Sequence, residues 1–315
     1  MFQLAVGPDR ARPLPTGSRT GDPFEPLSVP AMVTRIADMA LMKSAHPGAF
    51  LLRSLIGGAM VGFGALLSLV VSTGITTPGI ASLLMGLAFG MSFVLILVSG
   101  ASLITADMAA GCFAVLQGRM SFAGYLQLLV IGLIGNIAGT LVFAAVCAAA
   151  GGPYLGAFAA RAATVGAQKA GQPLWTAFLL AVLCTWFLQT AMCMYYKARS
   201  DVARMGFAFY GPFAFVIGSD QHVVANVGFL GLPLLLNVFH RDAPHCGIGW
   251  GMSSHGLITN ICITSVGNLV GGTLFVALPF YVIARLQPQE KQCDSPSSSG
   301  DSRCPDACAV RATGE

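Results

Sequence analysis

What this sequence has least of is charge. Only 10% of its 315 residues are Asp, Glu, Lys or Arg, where a soluble domain carries about 25%. The shortage is concentrated in long runs. No charged residue occurs from Ser54 to Ala106, from Met120 to Ala160, from Ala170 to Tyr196 or from Ala243 to Ala284. Each run holds at least one helix of about 20 apolar residues, the length that a hydrocarbon core of about 30 Å demands. Soluble helices show water a polar face every turn, so these runs exclude a soluble protein. Metal-type and disulfide-type cysteine spacings are lacking too. Cys112, Cys147, Cys184, Cys193 and Cys262 sit singly in apolar runs as small apolar residues. Cys293, Cys304 and Cys308 lie in a Ser/Asp/Gly-rich tail without zinc-type pairing. No cofactor and no metal are expected. The net charge of +4 gives no reason to expect nucleic acid, because the basic residues sit in loops and tails. The first 30 residues are rich in Pro, Gly and Arg and have no apolar core of the signal-peptide kind.

What is present divides into six hydrophobic spans. They run over about Leu51–Val71, Ile80–Gln117, Phe122–Ala150, Leu174–Tyr195, Ala203–Val238 and Leu257–Ala284, punctuated by Gly, Pro and polar turns such as Gly151-Gly152-Pro153. Ahead of them Ala31–Ser44 places Val33, Ile36, Ala37 and Ala40 on one arc and is expected to lie on the membrane surface. Residues 31–287 are thus expected to form a transmembrane domain, and residues 1–30 and 288–315 to be disordered tails. With the N-terminus inside, all but Arg161, Lys169 and Arg241 of the 17 Lys and Arg fall on the inner side. That bias predicts a multi-pass cell-membrane protein with both termini cytoplasmic.

The chain repeats itself. Gly135-Asn136-Ile-Ala-Gly139-Thr-Leu-Val-Phe143 in the third span resembles Gly267-Asn268-Leu-Val-Gly271-Gly-Thr-Leu-Phe275 in the sixth, at an offset of 132 residues. Three spans separate the two, so equivalent helices would cross in opposite directions, which is an inverted 3+3 repeat. The second and fifth spans occupy corresponding places, are overlong, and are interrupted by Ser99-Gly100-Ala101-Ser102-Leu103-Ile104-Thr105 and by Ile217-Gly218-Ser219-Asp220-Gln221-His222. Polar, Gly-containing interruptions in paired spans point to broken helices at a midplane site, with Gly100, Ser102, Gly218 and Asp220 at the breaks. The alternative is a long tilted helix with a re-entrant end.

Around the interruptions of the second and fifth spans stand three ionisable residues: Asp107, Asp220 and His222. Ionisable groups at that depth are costly and therefore candidates for function. The two aspartates are expected to cap the helices that restart after each break. His222 is a candidate proton donor, or else a buried neutral ring bonded to backbone.

At these residues the chain resembles the formate–nitrite transporter family, from about Lys43 to Leu286. Lys43-Ser-Ala-His-Pro47 resembles the lead-in to that family's first span. Ser99–Thr105 is similar to its second-helix loop, with Thr105 at the loop threonine. His222-Val-Val-Ala-Asn226 matches its fifth-helix motif, Gly135-Asn136 and Gly267-Asn268 fall where it has Gly-Asn, and Lys169 takes the place of its vestibule lysine. The resemblance implies an all-α, aquaporin-like fold and a homopentamer with one pore per subunit. It also implies constrictions at Phe89, Phe93, Leu103, Ile104 and Phe215. This sequence departs from the pattern at Gln221, where a Glu is usual, at Thr185, where an asparagine is expected, and at Ser102, which replaces an aspartate.

The implied activity is transport of a small monovalent anion or weak acid: formate, nitrite, or a short monocarboxylate such as acetate or lactate. Lys169 would attract the anion, the acid would cross the phenylalanines with a proton, and Thr105, His222 and Asn226 would hold it between them. Two other classes compete. A neutral-solute channel of the water or glycerol type fits six spans and an inverted repeat, but its paired Asn-Pro-Ala boxes are absent. A membrane-embedded enzyme would need clustered His and carboxylate ligands, whereas His46, His240, His245 and His255 lie at or beyond the span ends, so no enzymatic activity is expected.

Overall fold

The structure is a computed structural model and describes residues 25–287. The tail assignments for 1–24 and 288–315 lie outside the described residues. What is described is helical, with no strand among these residues beyond one isolated bridge between Gly249 and Gly256. The helices are α1 (Val29–Ala45), α2 (Pro47–Ser72), α3 (Pro78–Ser99), α4 (Ile104–Leu116), α5 (Phe122–Ala150), α6 (Ala157–Ala170), α7 (Leu174–Lys197), α8 (Asp201–Ile217), α9 (Val223–Phe239), α10 (Leu257–Gly272) and α11 (Leu278–Leu286). A π turn, Thr273–Ala277, joins the last two.

Five helices are long and apolar enough to cross a membrane: α2, α3, α5, α7 and the continuous Leu257–Leu286. The second halves of the predicted second and fifth spans, α4 with 13 residues and α9 with 17, are apolar but shorter. Where the sequence predicts one span over Ile80–Gln117, helix α3 stops at Ser99 and α4 starts at Ile104. Gly100 ends α3 with φ +73°, a conformation that only glycine adopts without strain. Over Ala203–Val238, α8 stops at Ile217 and α9 starts at Val223.

Pro starts α2 and α3 at the first helical turn, where its missing N–H loses nothing. Packing pairs α2 with α5 and α7 with α10, and lays α3 against α8. These approaches need glycine. A Cβ on Gly139 would strike the Leu55 carbonyl oxygen, and one on Gly271 the Val182 carbonyl oxygen. The predicted arc of α1 is buried: Met32, Val33, Ile36, Ala37 and Ala40 pack with Ala109, Phe113 and Val276 of α4 and the π turn. Ser28 caps the helix by accepting from the Ala31 N–H. Leu87, Met91, Ile134, Val142 and Trp175 are among many large apolar side chains left facing outward, as lipid or a neighbouring subunit requires.

Candidate functional site

Each interruption is held by one asparagine. Asn136 of α5 accepts the Ile104 N–H at 2.7 Å and donates to the carbonyls of Ser54 (2.7 Å) and Ser102 (2.9 Å). Asn268 of α10 accepts the Val223 N–H at 2.9 Å and donates to the carbonyls of Ala181 (2.8 Å) and Gln221 (2.9 Å). Non-helical backbone at depth must be satisfied by protein, and these two amides do that work. Ser102 is fixed further: its N–H donates to the Arg53 carbonyl, and its hydroxyl to Asp107.

The two aspartates do not cap. Asp107, in the first turn of α4, takes its bonds from Lys43 Nζ (2.5 Å) and the Ser102 hydroxyl (3.2 Å), and it is fully buried. Asp220 offers its backbone carbonyl to Lys169 Nζ at 2.9 Å. The cap expectation fails because the asparagines already occupy the first amides of both helices, and at α9 the N-cap is His222. Its Nδ1 accepts the Ala225 N–H at 3.2 Å, and its Nε2 lies 3.0 Å from Thr105 Oγ1. Thr105 sits in the first turn of α4, and Gln189 of α7 donates to its carbonyl. The two breaks thus meet through His222 and Thr105, both fully buried.

Aromatic rings enclose this contact. Phe215 stacks on the His222 ring at 5.1 Å, and Phe93 meets it edge-on at 6.0 Å. Phe89 stands 5.5 Å from Phe215 and 6.2 Å from Phe93. Leu103, Phe93, Gly100 and Thr105 are among the residues that line a pocket of about 220 Å³. Arg35, Lys43 and Arg53 line the same pocket. Ile104 is not brought into this group: its side chain reaches toward Gly132 and Phe50.

Beyond the phenylalanines is an amide cluster. Asn226 Nδ2 donates to Gln221 Oε1 and, at 2.8 Å, to Asn260 Oδ1. Asn226 Oδ1 is buried without a partner, as is the Thr185 hydroxyl on α7. Lys169 Nζ lies 5.4 Å over the Phe229 ring, which in turn stacks on Phe89. Burial lowers the Lys169 pKa to about 8. Gly218 ends α8, and the Asp220 side chain folds back beside it.

Sequence reading missed Gln189, Asn260 and Phe229. Gln189 and Asn260 were visible as polar residues in apolar runs, whereas nothing marks Phe229 among 20 phenylalanines. It also missed α6, which presents Lys169.

The model of the formate/nitrite transporter family matches residues 30–282. A probable formate transporter of Methanothermobacter thermautotrophicus is 27% identical over 260 residues, 76% of this chain and 90% of its own length. The nitrite transporter NirC of Escherichia coli is 24% identical over 245 residues, 78% of this chain and 87% of its own. Among solved structures, an FNT family ion channel superposes with TM-score 0.70 at 23% identity, covering 81% of this chain and 98% of that one. A pentameric formate channel with formate bound gives 0.62 at 22% identity, covering 76% and 98%.

Proposed function

The chain belongs to the formate/nitrite transporter family, and from there we propose that it moves a small monovalent anion across a cell membrane together with a proton. Formate, nitrite and short monocarboxylates are the substrate class. Helices α3 with α4, and α8 with α9, are read as two broken spans. Six crossings then form an inverted 3+3 repeat with both termini cytoplasmic, and five subunits each enclose a pore. Support for five comes from the solved channel that is described as pentameric.

The observation that carries this reading is the 3.0 Å contact between Thr105 Oγ1 and His222 Nε2 inside an otherwise apolar enclosure. Its polarity matters. Because Nδ1 accepts the Ala225 amide, a neutral ring must keep its proton on Nε2 and donate it to Thr105. The threonine hydroxyl then has its own proton to offer a substrate. A bare anion entering such a place suffers a desolvation cost of several kcal/mol. Lys169 on one side, and Arg35, Lys43 and Arg53 on the other, collect the anion where water still reaches it. The substrate crosses the rings as the neutral acid, hydrogen-bonded by Thr105. The proton arrives with it from the vestibule water, since a neutral imidazole has none to spare. Asn226 Oδ1, an acceptor without a donor, suits the O–H of that acid. Leu103 and the phenylalanines exclude water on either side.

Uptake of labelled formate and nitrite into proteoliposomes under imposed pH gradients tests the reading. Thr105→Val, which keeps shape and removes the hydroxyl, should slow uptake at least about tenfold, the equivalent of about 1.4 kcal/mol. Uptake by the variant equal to that of the parent, or osmotic swelling with water or glycerol but no anion flux, overturns it.

A further inference from the structure

Arg161 is a cation with no carboxylate within ion-pair distance among the described residues. It projects from α6, half-buried, between the end of α2 and the start of α3. Its Nε donates to the Ser72 hydroxyl at 3.0 Å, and one Nη lies 3.4 Å from Met85 Sδ. Ser72 is fully buried. A thioether is a weak acceptor, and a guanidinium carries five N–H donors in a fixed fork, so most of this fork is unused. A half-buried charge left this way is costly unless something pairs with it.

Its position says what that is. Met85, Phe89 and Phe93 follow one another at helical spacing on the buried face of α3. Arg161 therefore sits one turn beyond Phe89, at the outer end of the aromatic enclosure. Lys169 lies eight residues later on the same helix, about 12 Å along its axis at 1.5 Å per residue. Phe229 links Lys169 back to Phe89.

We propose that Arg161 is a second anion-holding group at the outer mouth and that its planar fork selects bent dioxo anions over spherical ones. The inference rests on the transport reading above. Formate, nitrite and carboxylates present two oxygens that match two parallel N–H groups, whereas hydrosulfide or chloride offers one centre and gains only the charge. Lys169, a point charge, makes no such distinction.

Initial rates of uptake into right-side-out vesicles, with labelled formate, nitrite and hydrosulfide, test it through Arg161→Gln and Arg161→Lys. Arg161→Gln should raise KM for formate and nitrite roughly tenfold while kcat stays within about twofold, the signature of lost capture. Arg161→Lys should return the hydrosulfide KM to that of the parent but leave formate and nitrite raised. If Arg161→Gln lowers the melting temperature and kcat with KM unchanged, Arg161 only staples α6 to its neighbours and the proposal falls. Equal recovery of all three anions by Arg161→Lys removes the selectivity. A parent protein that moves none of the anions refutes the transport reading itself, whatever the variants do.

Discussion

The imidazole of His222 is bound at both nitrogens: Nδ1 by the Ala225 amide and Nε2 by the Thr105 hydroxyl. The ring joins α9 to α4 in one fixed tautomer. Protonating Nδ1 would turn an acceptor toward an N–H donor and break the helix cap. The histidine is thus built to aim a hydrogen bond rather than to carry charge.

His222→Asn keeps an oxygen for the Ala225 amide, but its NH2, one bond short of Nε2, does not reach Thr105. Its transport should retain the parent's pH profile, with the rate reduced. His222→Phe loses both bonds and should lower stability by about 1–2 kcal/mol through the lost cap. Uptake at pH values from 5 to 8, beside thermal unfolding in detergent, checks both. An His222→Asn protein with flat pH dependence would make the ring the proton source after all.

Asn136→Ala and Asn268→Ala each remove three buried hydrogen bonds and strand the first amide of a helix. Each should cost about 2–4 kcal/mol, estimated from one unsatisfied buried donor plus lost bonds. Near-equal losses in thermal unfolding are expected, because the two sites are wired alike. A mild effect at one would show that its break is held by something else.

Lys169 loses its proton as pH rises through about 8, since burial disfavours the charged form. Anion capture should therefore weaken between pH 7 and 9. Protonation of the acid weakens over the same direction, so the parent alone cannot separate the two. Lys169→Arg keeps its charge across this range and should remove the part of the KM rise that belongs to the lysine. Initial-rate KM measurements at pH 7 and 9 would check this; an arginine variant that follows the parent point for point assigns the whole rise to the substrate.

Lys43 and the fully buried Asp107 form an ion pair. Removing one partner leaves an uncompensated charge and should cost about 3–5 kcal/mol. Asp107→Leu combined with Lys43→Met should recover most of that loss. Unfolding of the two single variants and the double variant measures the coupling.

How far the sequence alone reached is clearest at the breaks. Charge-free runs bounded by Gly and Pro located α2, α5 and α7 within a few residues, because bilayer length is a strict constraint. Gly135-Asn136 and Gly267-Asn268 were legible as a repeat, but their purpose was not, since the partners Ile104 and Val223 are distant in sequence. The caps were misassigned for the same reason: a local rule favours Asp, and a remote amide took its place. His222 stood out as an ionisable residue inside a span and Thr105 was named from a resemblance, and periodicity could not have paired them. Helix α6 escaped because its Ala-rich, mixed pattern resembles a linker. Arg161 thereby lost its context, although its position among the three outer cations was plain.

Two halves wired alike are not charged alike. Lys43 meets a carboxylate in Asp107, while Lys169 donates to the backbone carbonyl of Asp220.

Ser102 uses its N–H, its hydroxyl and its carbonyl together, to Arg53, Asp107 and Asn136. Backbone pinned on three sides resists swinging, so under the transport proposal opening of the passage falls to side-chain rotation of Leu103 and the phenylalanines rather than to the rocking of a whole domain. Flux through such a protein should be gently temperature-dependent and quick, closer to diffusion past a turnstile than to the stroke of a pump.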